Sequence, residues 1–330
     1  MKRKISLFLV ISLIIMILGG CNNTPATPTT QAGGETTQAP KIDYPTKAIT
    51  IICNYGAGGG TDLATRALAQ AMERILGQPI TVENKAGGSG TLGIIETMNR
   101  ANDGYTIGVL TAAPLTIVPH QMEVPFTPED FDYIGTFGQY GYGIAVKADS
   151  PYQSIADIVA LAKASSGPLA YSASGYPQPF AMNAIGEKEG IEFTYAPYAS
   201  ASEVLTAVLG GHIQVAVGGQ AEITQFMKSG ELRLLAAAGE SRWETAPEVP
   251  TLLELGYDVA LRSYMGLGLP SGVDPQIAAI LQDAFSKAVE DEQFLQVMRN
   301  MNFMISYTTG EEYKEFLART YVENKELMAE

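Results

Sequence analysis

The chain has 330 residues, 46% of them hydrophobic, and carries 35 acidic against 21 basic side chains for a net charge of −14. That balance argues against a nucleic-acid partner and against a polybasic membrane patch. Two cysteines and two histidines leave little for a disulfide framework or a metal cluster.

Residues 1–20 read as a targeting segment. Lys2, Arg3 and Lys4 form a basic start, and Ile5 to Leu18 is an apolar run too short for a comfortable membrane span. The run ends in Leu18-Gly19-Gly20-Cys21, which resembles a bacterial lipobox. Cleavage there would leave Cys21 to carry a lipid, and loss of the three basic residues would take the net charge from −14 to −17. An ordinary secretory signal with an incidental cysteine is the alternative. Residues 21–41 are rich in Thr, Pro, Gln, Ala and Gly with no hydrophobic period. Such a segment cannot bury a core and is expected to be a disordered tether. The expected location is therefore extracytoplasmic, lipid-anchored to the cell membrane. The remainder, from about Ile42, is long enough for two domains.

The folded part opens on a strand over Ala48–Cys53. Then comes the loop Asn54-Tyr55-Gly56-Ala57-Gly58-Gly59-Gly60-Thr61-Asp62. Behind the loop, Leu63, Ala64, Ala67, Leu68, Ala71, Met72, Ile75 and Leu76 recur at helical spacing. Thr61 or Asp62 can cap that helix, and Gly77 with Pro79 ends it. Glycines let the loop backbone approach a ligand closely, and the first helical turn offers free N–H groups and a favourable dipole to an anion. A tight turn without a ligand is the plain alternative. The loop is not a phosphate-binding P-loop, because no Gly-Lys-Ser/Thr follows. It is not a dinucleotide fingerprint either, because Thr61 and Leu63 stand where its last glycine would fall.

Two more strand–helix units follow. Ile80–Glu83 leads through Gly87-Gly88-Ser89-Gly90 into a helix over Thr91–Ala101, and Tyr105–Leu110 is a third strand. This second glycine loop is a plain turn or a second ligand contact. The alternation predicts a parallel sheet with helices on its faces and ligands at the carboxyl ends of its strands. Phe131–Phe137 and Gly141–Lys147 read as extended crossing segments. A second alternating set starts at Pro151, with a capping box at Ser154–Asp157 and a strand over Leu169–Ser172. The loop from Ala173 to Pro179, with Ser174, Gly175, Tyr176 and Gln178, then leads into a helix over Phe180–Lys188. It is the counterpart of the first glycine loop.

Further on, the pattern gives strands at Phe193–Tyr195, Ile213–Val217 and Leu232–Ala237, with helices over Ser202–Leu209 and after Gln220. It also gives a short helix over Leu252–Leu255. Tyr264–Leu269 returns to the first domain, and helices start at Asp274-Pro275 and at the Thr309–Glu312 capping box. The expected division is domain 1 over 42–145 plus 264–330 and domain 2 over 146–263. Two hinge crossings would set the two loops face to face across a cleft.

Catalysis finds little support. His120 and His212 have no Cys or carboxylate at metal-ligand spacing. No Gly-x-Ser-x-Gly elbow exists, since Ala173-Ser174-Gly175 lacks its first glycine. Asp62 as a general base, in a hydrolase or isomerase, is weaker than Asp62 as a helix cap. Trp243 and the scattered tyrosines read as packing, and Cys53 as a core thiol.

A series of short motifs adds to this. They are Tyr44-Pro45-Thr46-Lys47-Ala48-Ile49-Thr50, Gly58-Gly59-Gly60-Thr61-Asp62 with Arg66, Gly77-Gln78-Pro79 and Val82-Glu83-Asn84-Lys85. Gly87-Gly88-Ser89-Gly90, Asp103-Gly104-Tyr105-Thr106, Pro197-Tyr198, Leu209-Gly210-Gly211 and Glu248-Val249-Pro250-Thr251 follow. In order and spacing the chain from Tyr44 to Glu330 resembles the substrate-binding proteins of the tripartite tricarboxylate transporter, the TctC or Bug type. The resemblance implies a two-domain, periplasmic-binding-protein-like α/β fold of the type II, Venus-flytrap kind. It implies a non-enzymatic, cofactor-free monomer that captures a small organic carboxylate and hands it to large and small membrane subunits. Carried over, the two jaws are Ala57, Gly58, Gly59, Thr61 and Asp62 on one side, and Ser172, Ser174, Gly175 and Tyr176, with Tyr198, on the other. The chain departs from the family where Cys53-Asn54 replace a usual Val-Pro, where Ala199-Ser200 replace Lys-Gly, and where Tyr176-Pro177-Gln178-Pro179-Phe180 replace a Gly-rich jaw. A sensory protein of the same fold, signalling to a membrane kinase, is the alternative reading.

Overall fold

The computed structural model describes residues 42–198 and 201–328. The expected leader, Cys21 and the tether lie outside the described residues. From Ile42 onward the chain is one compact unit built on two sheets.

The first sheet is laid down by β1 (Ile49–Cys53), α1 (Gly60–Leu76), β2 (Ile80–Asn84), α2 (Thr91–Met98) and β3 (Thr106–Thr111). Two short helices follow, α3 (Ala112–Thr116) and α4 (Val118–Gln121), and then β4 (Phe131–Gln139). The second sheet is built from β5 (Tyr142–Lys147), α5 (Ile155–Ala164), β6 (Leu169–Ala173), α6 (Pro179–Glu189) and β7 (Phe193–Pro197). It is completed by α7 (Ala201–Leu209), β8 (Val215–Gly219), α8 (Gln220–Lys228) and β9 (Leu232–Ala237). The chain then returns through β10 (Tyr264–Pro270), α9 (Pro275–Ala288), α10 (Glu292–Asn300), β11 (Thr308–Thr309) and α11 (Gly310–Leu327).

Strand order is β11-β4-β10-β3-β1-β2 in the first sheet and β7-β6-β8-β5-β9 in the second. Each sheet has a parallel heart, β3-β1-β2 and β7-β6-β8. The sheets are nevertheless mixed and not parallel as expected. β10 runs antiparallel to both β3 and β4, and β5 runs antiparallel to both β8 and β9. β4 and β5 are joined by the tight link at Tyr140-Gly141, and β10 re-enters directly from the other lobe. Neither strand has the helical crossover that parallel pairing requires. Sheet passes from lobe to lobe therefore fall at 140–141 and 262–263, where Tyr140 N–H donates to the Ser263 carbonyl at 2.9 Å.

Helices cover both faces of both sheets. Leu68 and Met72 of α1, Phe285 of α9 and Phe294 of α10 pack on one face of the first sheet with Ile49, Ile51 and the buried thiol of Cys53. Ile94, Leu115 and Tyr313 cover the other face. In the second lobe Ile158 and Met182 lie on one face, and Val204, Ile223 and the buried Trp243 on the other. Capping boxes start α5 at Ser154 and α11 at Thr309, and Asp274 caps α9 with Pro275 in its first turn. Two local expectations fail. Leu252–Leu255 is a hydrogen-bonded turn and not a helix, closed by Leu255 N–H to the Thr251 carbonyl at 3.1 Å. Gly59, with extended backbone, is the N-cap of α1 in place of Thr61 or Asp62.

Candidate functional site

In each sheet the first strand of the parallel heart has its sequence successor on one side and the third strand on the other. Such a switch in direction leaves a crevice at the carboxyl ends of the strands. A cleft of about 970 Å³ opens there. Its wall includes Tyr55, Gly60 and Thr61 after β1, Ser89 after β2, and Ala113 and Pro114 after β3. Ser174, Gly175, Tyr176 and Gln178 after β6 and Gly219 to Glu222 after β8 face them, with Tyr140 to Tyr142 between.

The first loop is held by a buried polar network. Asp62 is 1% exposed. One of its carboxylate oxygens accepts from Gly58 N–H at 2.8 Å and Arg66 Nε at 3.0 Å. The other accepts from Asn84 Nδ2 at 2.8 Å and pairs with Arg66 Nη2 at 3.0 Å. Asn84 Nδ2 also donates to the Tyr55 carbonyl at 3.0 Å. Burial pushes the Asp62 carboxyl upward, but the Arg66 guanidinium, the Gly58 N–H and the Asn84 amide outweigh it and hold the group below its ordinary value. Asn54 joins the second loop to this one, donating to Gly90 O at 3.3 Å and Thr111 Oγ1 at 2.9 Å.

The helix behind this loop opens onto the cleft. The first intrahelical bond of α1 is Leu63 N–H to the Gly59 carbonyl, 3.0 Å. Gly60, Thr61 and Asp62 N–H therefore have no intrahelical acceptor, and Gly60 and Thr61 line the cleft. The Thr61 hydroxyl is hydrogen-bonded to the Tyr140 hydroxyl at the lobe crossing. Burial raises the Tyr140 phenol well above its usual range, so it stays a neutral donor. Gly60 has no room for a side chain: a Cβ there would lie 2.5 Å from the ring of Phe303.

The second jaw differs from its expected mirror image. Phe180 and Ala181 N–H groups at the start of α6 are bonded to the Pro177 and Gln178 carbonyls at 3.0 and 3.2 Å. Pro177 and Pro179 carry no N–H at all. What faces the cleft is the Ser174 hydroxyl, which accepts from Gln178 Nε2 at 3.4 Å, and the ring of Tyr176.

Of the residues expected from sequence, the cleft wall thus gathers Thr61, Ser174, Gly175 and Tyr176. Ala57, Gly58 and Gly59 are exposed on the loop beside it. Asp62 is committed to its inward network. Ser172 is fully buried in β6, its hydroxyl 3.5 Å from the Val215 carbonyl, and Tyr198 packs against the core behind α7 and α8. The sequence reading misses much of the wall: Ala113, Pro114, Ile117, Val118 and Gln121 around α3 and α4, Tyr140 and Tyr142 at the crossing, Ala201 at the start of α7, the start of α8, and Asn300 to Phe303 at the end of α10. The paired glycines Gly218-Gly219 ahead of Gln220 are the signal for the start of α8. No local pattern marks the others.

Among the described residues no three His, Cys, Asp or Glu side chains gather for a metal ion, and no helix is long and apolar enough to cross a membrane. His120 bonds through Nε2 to the Tyr321 carbonyl at 2.8 Å and packs on that ring.

The model of a family described as the tripartite tricarboxylate transporter family receptor, TctC, matches residues 64–330. A Cupriavidus necator relative, described as the UPF0065 protein in the gbd 5′ region, is 35% identical over 88% of this chain and 89% of its own. The crystal structure of a TctC solute-binding protein from Polaromonas superposes with a TM-score of 0.77 at 31% identity, covering 87% of this chain and 99% of that one. Two Rhodopseudomonas palustris structures share the fold at 18% and 20% identity, each with a TM-score of 0.71. They are MatC with bound malate, covering 86% of this chain and 99% of its own, and a protein with adipate, covering 85% and 96%.

Proposed function

The chain belongs to the tripartite tricarboxylate transporter family of receptors, which are solute-binding proteins and not enzymes, and from that premise we propose that it captures a small organic carboxylate in this cleft and delivers it to a tripartite membrane transporter. The observation that carries the reading is the free first turn of α1 opening onto the cleft beside the Thr61 and Tyr140 hydroxyls. Malate and adipate in structures of the same fold support a carboxylate as the ligand.

The chemistry suits a negatively charged protein. With a net charge of −14, attraction for an anion has to be local, from N–H groups, hydroxyls and a helix end. A charge-assisted hydrogen bond contributes about 1.5–3 kcal/mol net, and a partly buried helix terminus up to about 2. Four or five such contacts, less ordering and closure costs, reach the roughly 8 kcal/mol of a micromolar receptor. In this reading Thr61, Ser174, Gly175 and Tyr176 touch the ligand, while Asp62 stiffens the loop that presents it. The lobes, 42–140 with 263–330 and 141–262, close about the two crossings; the division expected at 145 falls inside β5, which belongs wholly to the second sheet. Lipid at Cys21 and the tether hold the monomer outside the cytoplasm, near the large and small membrane subunits.

Native mass spectrometry of the purified chain, followed by denaturation to release small molecules, tests the reading. A stoichiometric organic acid in the released fraction is the expected result. An empty protein that also shows no thermal shift with any carboxylate would overturn it.

A further inference from the structure

The cleft wall is polar mainly through neutral groups. Among the described residues its charged side chains are Glu222 and Lys228, both exposed on α8. Its carboxamides are Gln121 of α4, Gln178 ahead of α6, Gln220 and Gln225 of α8, and Asn300 and Asn302 at the end of α10. They come from both lobes, so they surround the enclosed space and do not mark one point in it. A carboxamide carries both donors and an acceptor, and an alcohol hydroxyl likewise gives and takes a hydrogen bond.

Three of these amides stand where a polar side chain is not the easy choice. Gln178 is 5% exposed and Gln220 6%. Gln178 Nε2 donates to the Ser174 hydroxyl at a long 3.4 Å. Gln220 Oε1 is buried with no partner among the protein atoms. It lies against Gly141 of the lobe crossing, where it leaves no room for a Cβ, and the Gln220 N–H donates to the Gly141 carbonyl at 2.8 Å. A buried acceptor without a partner is uncommon in folded proteins and calls for a reason. Asn302 has left-handed backbone, φ 54°. It follows α10 in a Schellman motif, closed by Asn302 N–H to the Arg299 carbonyl and Phe303 N–H to the Met298 carbonyl, both 3.0 Å. Glycine is the usual residue at that position. Asparagine holds the same backbone and adds a carboxamide to the cleft wall.

We propose that the ligand is a sugar acid: a five- or six-carbon carboxylate with a hydroxyl on most of its carbons. Its carboxylate sits on the first turn of α1, and its hydroxyls meet Gln178 and Gln220 of one lobe and Asn302 of the other. Gln220 Oε1 takes its missing partner from a ligand hydroxyl by a half-turn of the terminal amide, a torsion that is broad for Gln. Tyr140, Tyr176 and Phe303 offer ring surfaces to the ligand's C–H groups. The assignment rests on the carboxylate-receptor reading and deepens it by naming the body of the ligand. It depends on hydroxyls and is indifferent to the number of carboxylates. A deoxygenated chain of equal length would strand buried amides against C–H groups. A site built to hydrogen-bond a hydroxyl rejects the analogue that lacks it more strongly than an apolar site rejects an added hydroxyl.

Calorimetric titration of the purified full chain tests the assignment. The probes are gluconate, galactonate, glucuronate and galacturonate, against hexanoate and adipate as six-carbon chains without hydroxyls. The best sugar acid is expected to bind at least about tenfold tighter than hexanoate or adipate, about 1.4 kcal/mol. Gln220→Leu, and Asn302→Gly, which suits the left-handed backbone, are each expected to lower that ratio several-fold. Hexanoate or adipate binding as tightly as the best sugar acid, or a ratio unchanged in both variants, would overturn the sugar-acid assignment and leave the receptor reading standing. Binding of none of the six, with a thermal-shift response to other carboxylates, would likewise overturn only the assignment. No response to any carboxylate would remove both.

Discussion

Asp62 illustrates how a residue type can be read correctly as important and wrongly in its role. A carboxylate at the start of a helix beside a glycine loop suggests a cap or a base. The structure spends its oxygens on Gly58, Arg66 and Asn84, and the loop keeps its shape because all three donors are satisfied together. The net of these contacts holds the Asp62 carboxyl below its ordinary value of 3.8 despite burial. A group depressed in the folded state contributes stability that is present above the unfolded value and is lost as pH falls through the folded one. Asp62→Asn turns an amide N–H toward the Arg66 and Asn84 donors and forfeits that contribution. The expected result is a lower melting temperature for the variant near pH 7, by an amount that shrinks as pH is taken from about 5 to about 3. Thermal denaturation of both proteins across that range checks it. A gap that stays constant with pH would mean that the carboxylate's charge is not what stiffens the loop.

At the scale of elements, helix and strand identities came from period and punctuation, but directions and partners did not. β1, β6 and α11 sit where alternation, glycines and capping residues put them, and α1 follows its hydrophobic period and closing glycine but is capped by Gly59 and not by Thr61 or Asp62. The antiparallel placement of β5 and β10 was invisible because hydrophobic alternation is the same in either direction. Helix α10 escaped notice although it is amphipathic, with Asp291 capping it and Phe294 and Met298 buried. The short charged run between two longer helices carries no glycine or proline to announce it. The site followed the same rule. Thr61 and Tyr176 lie in loops whose composition marks them, whereas Tyr140 and Phe303 reach the cleft only because a crossing and a distant helix end fold onto the first loop. Tyr140 couples these elements directly. Its backbone N–H meets the other crossing at Ser263 and its hydroxyl meets Thr61. Tyr140→Phe leaves the buried Thr61 hydroxyl without that partner and removes a donor from the cleft wall, a loss of about 1–3 kcal/mol. Carboxylate affinity is therefore expected to fall about 5-fold to about 150-fold, with the fold retained by circular dichroism. Unchanged affinity would exclude the hydroxyl from ligand capture.

For the molecule as a whole, net charge and ligand charge have the same sign, and this has kinetic consequences. A protein of net charge −14 repels an approaching carboxylate over the Debye length, about 30 Å at 0.01 M salt and about 10 Å at 0.1 M. The attraction that holds the ligand acts only at contact, through backbone dipoles and hydroxyls in a partly enclosed cleft, where added ions screen poorly. Salt therefore weakens the long-range repulsion more than it weakens the short-range capture. The association rate of a carboxylate ligand is expected to rise as ionic strength goes from about 0.01 to about 0.3 M, while the dissociation rate changes little. Stopped-flow measurements across that range, with the single tryptophan Trp243 or ligand fluorescence as the signal, separate the two rates. A steep fall in association rate with salt would mean that a local positive field draws the ligand in. Lys228, the one cation of the cleft wall among the described residues, would then be the residue that recruits the anion, and the helix end would act only after encounter.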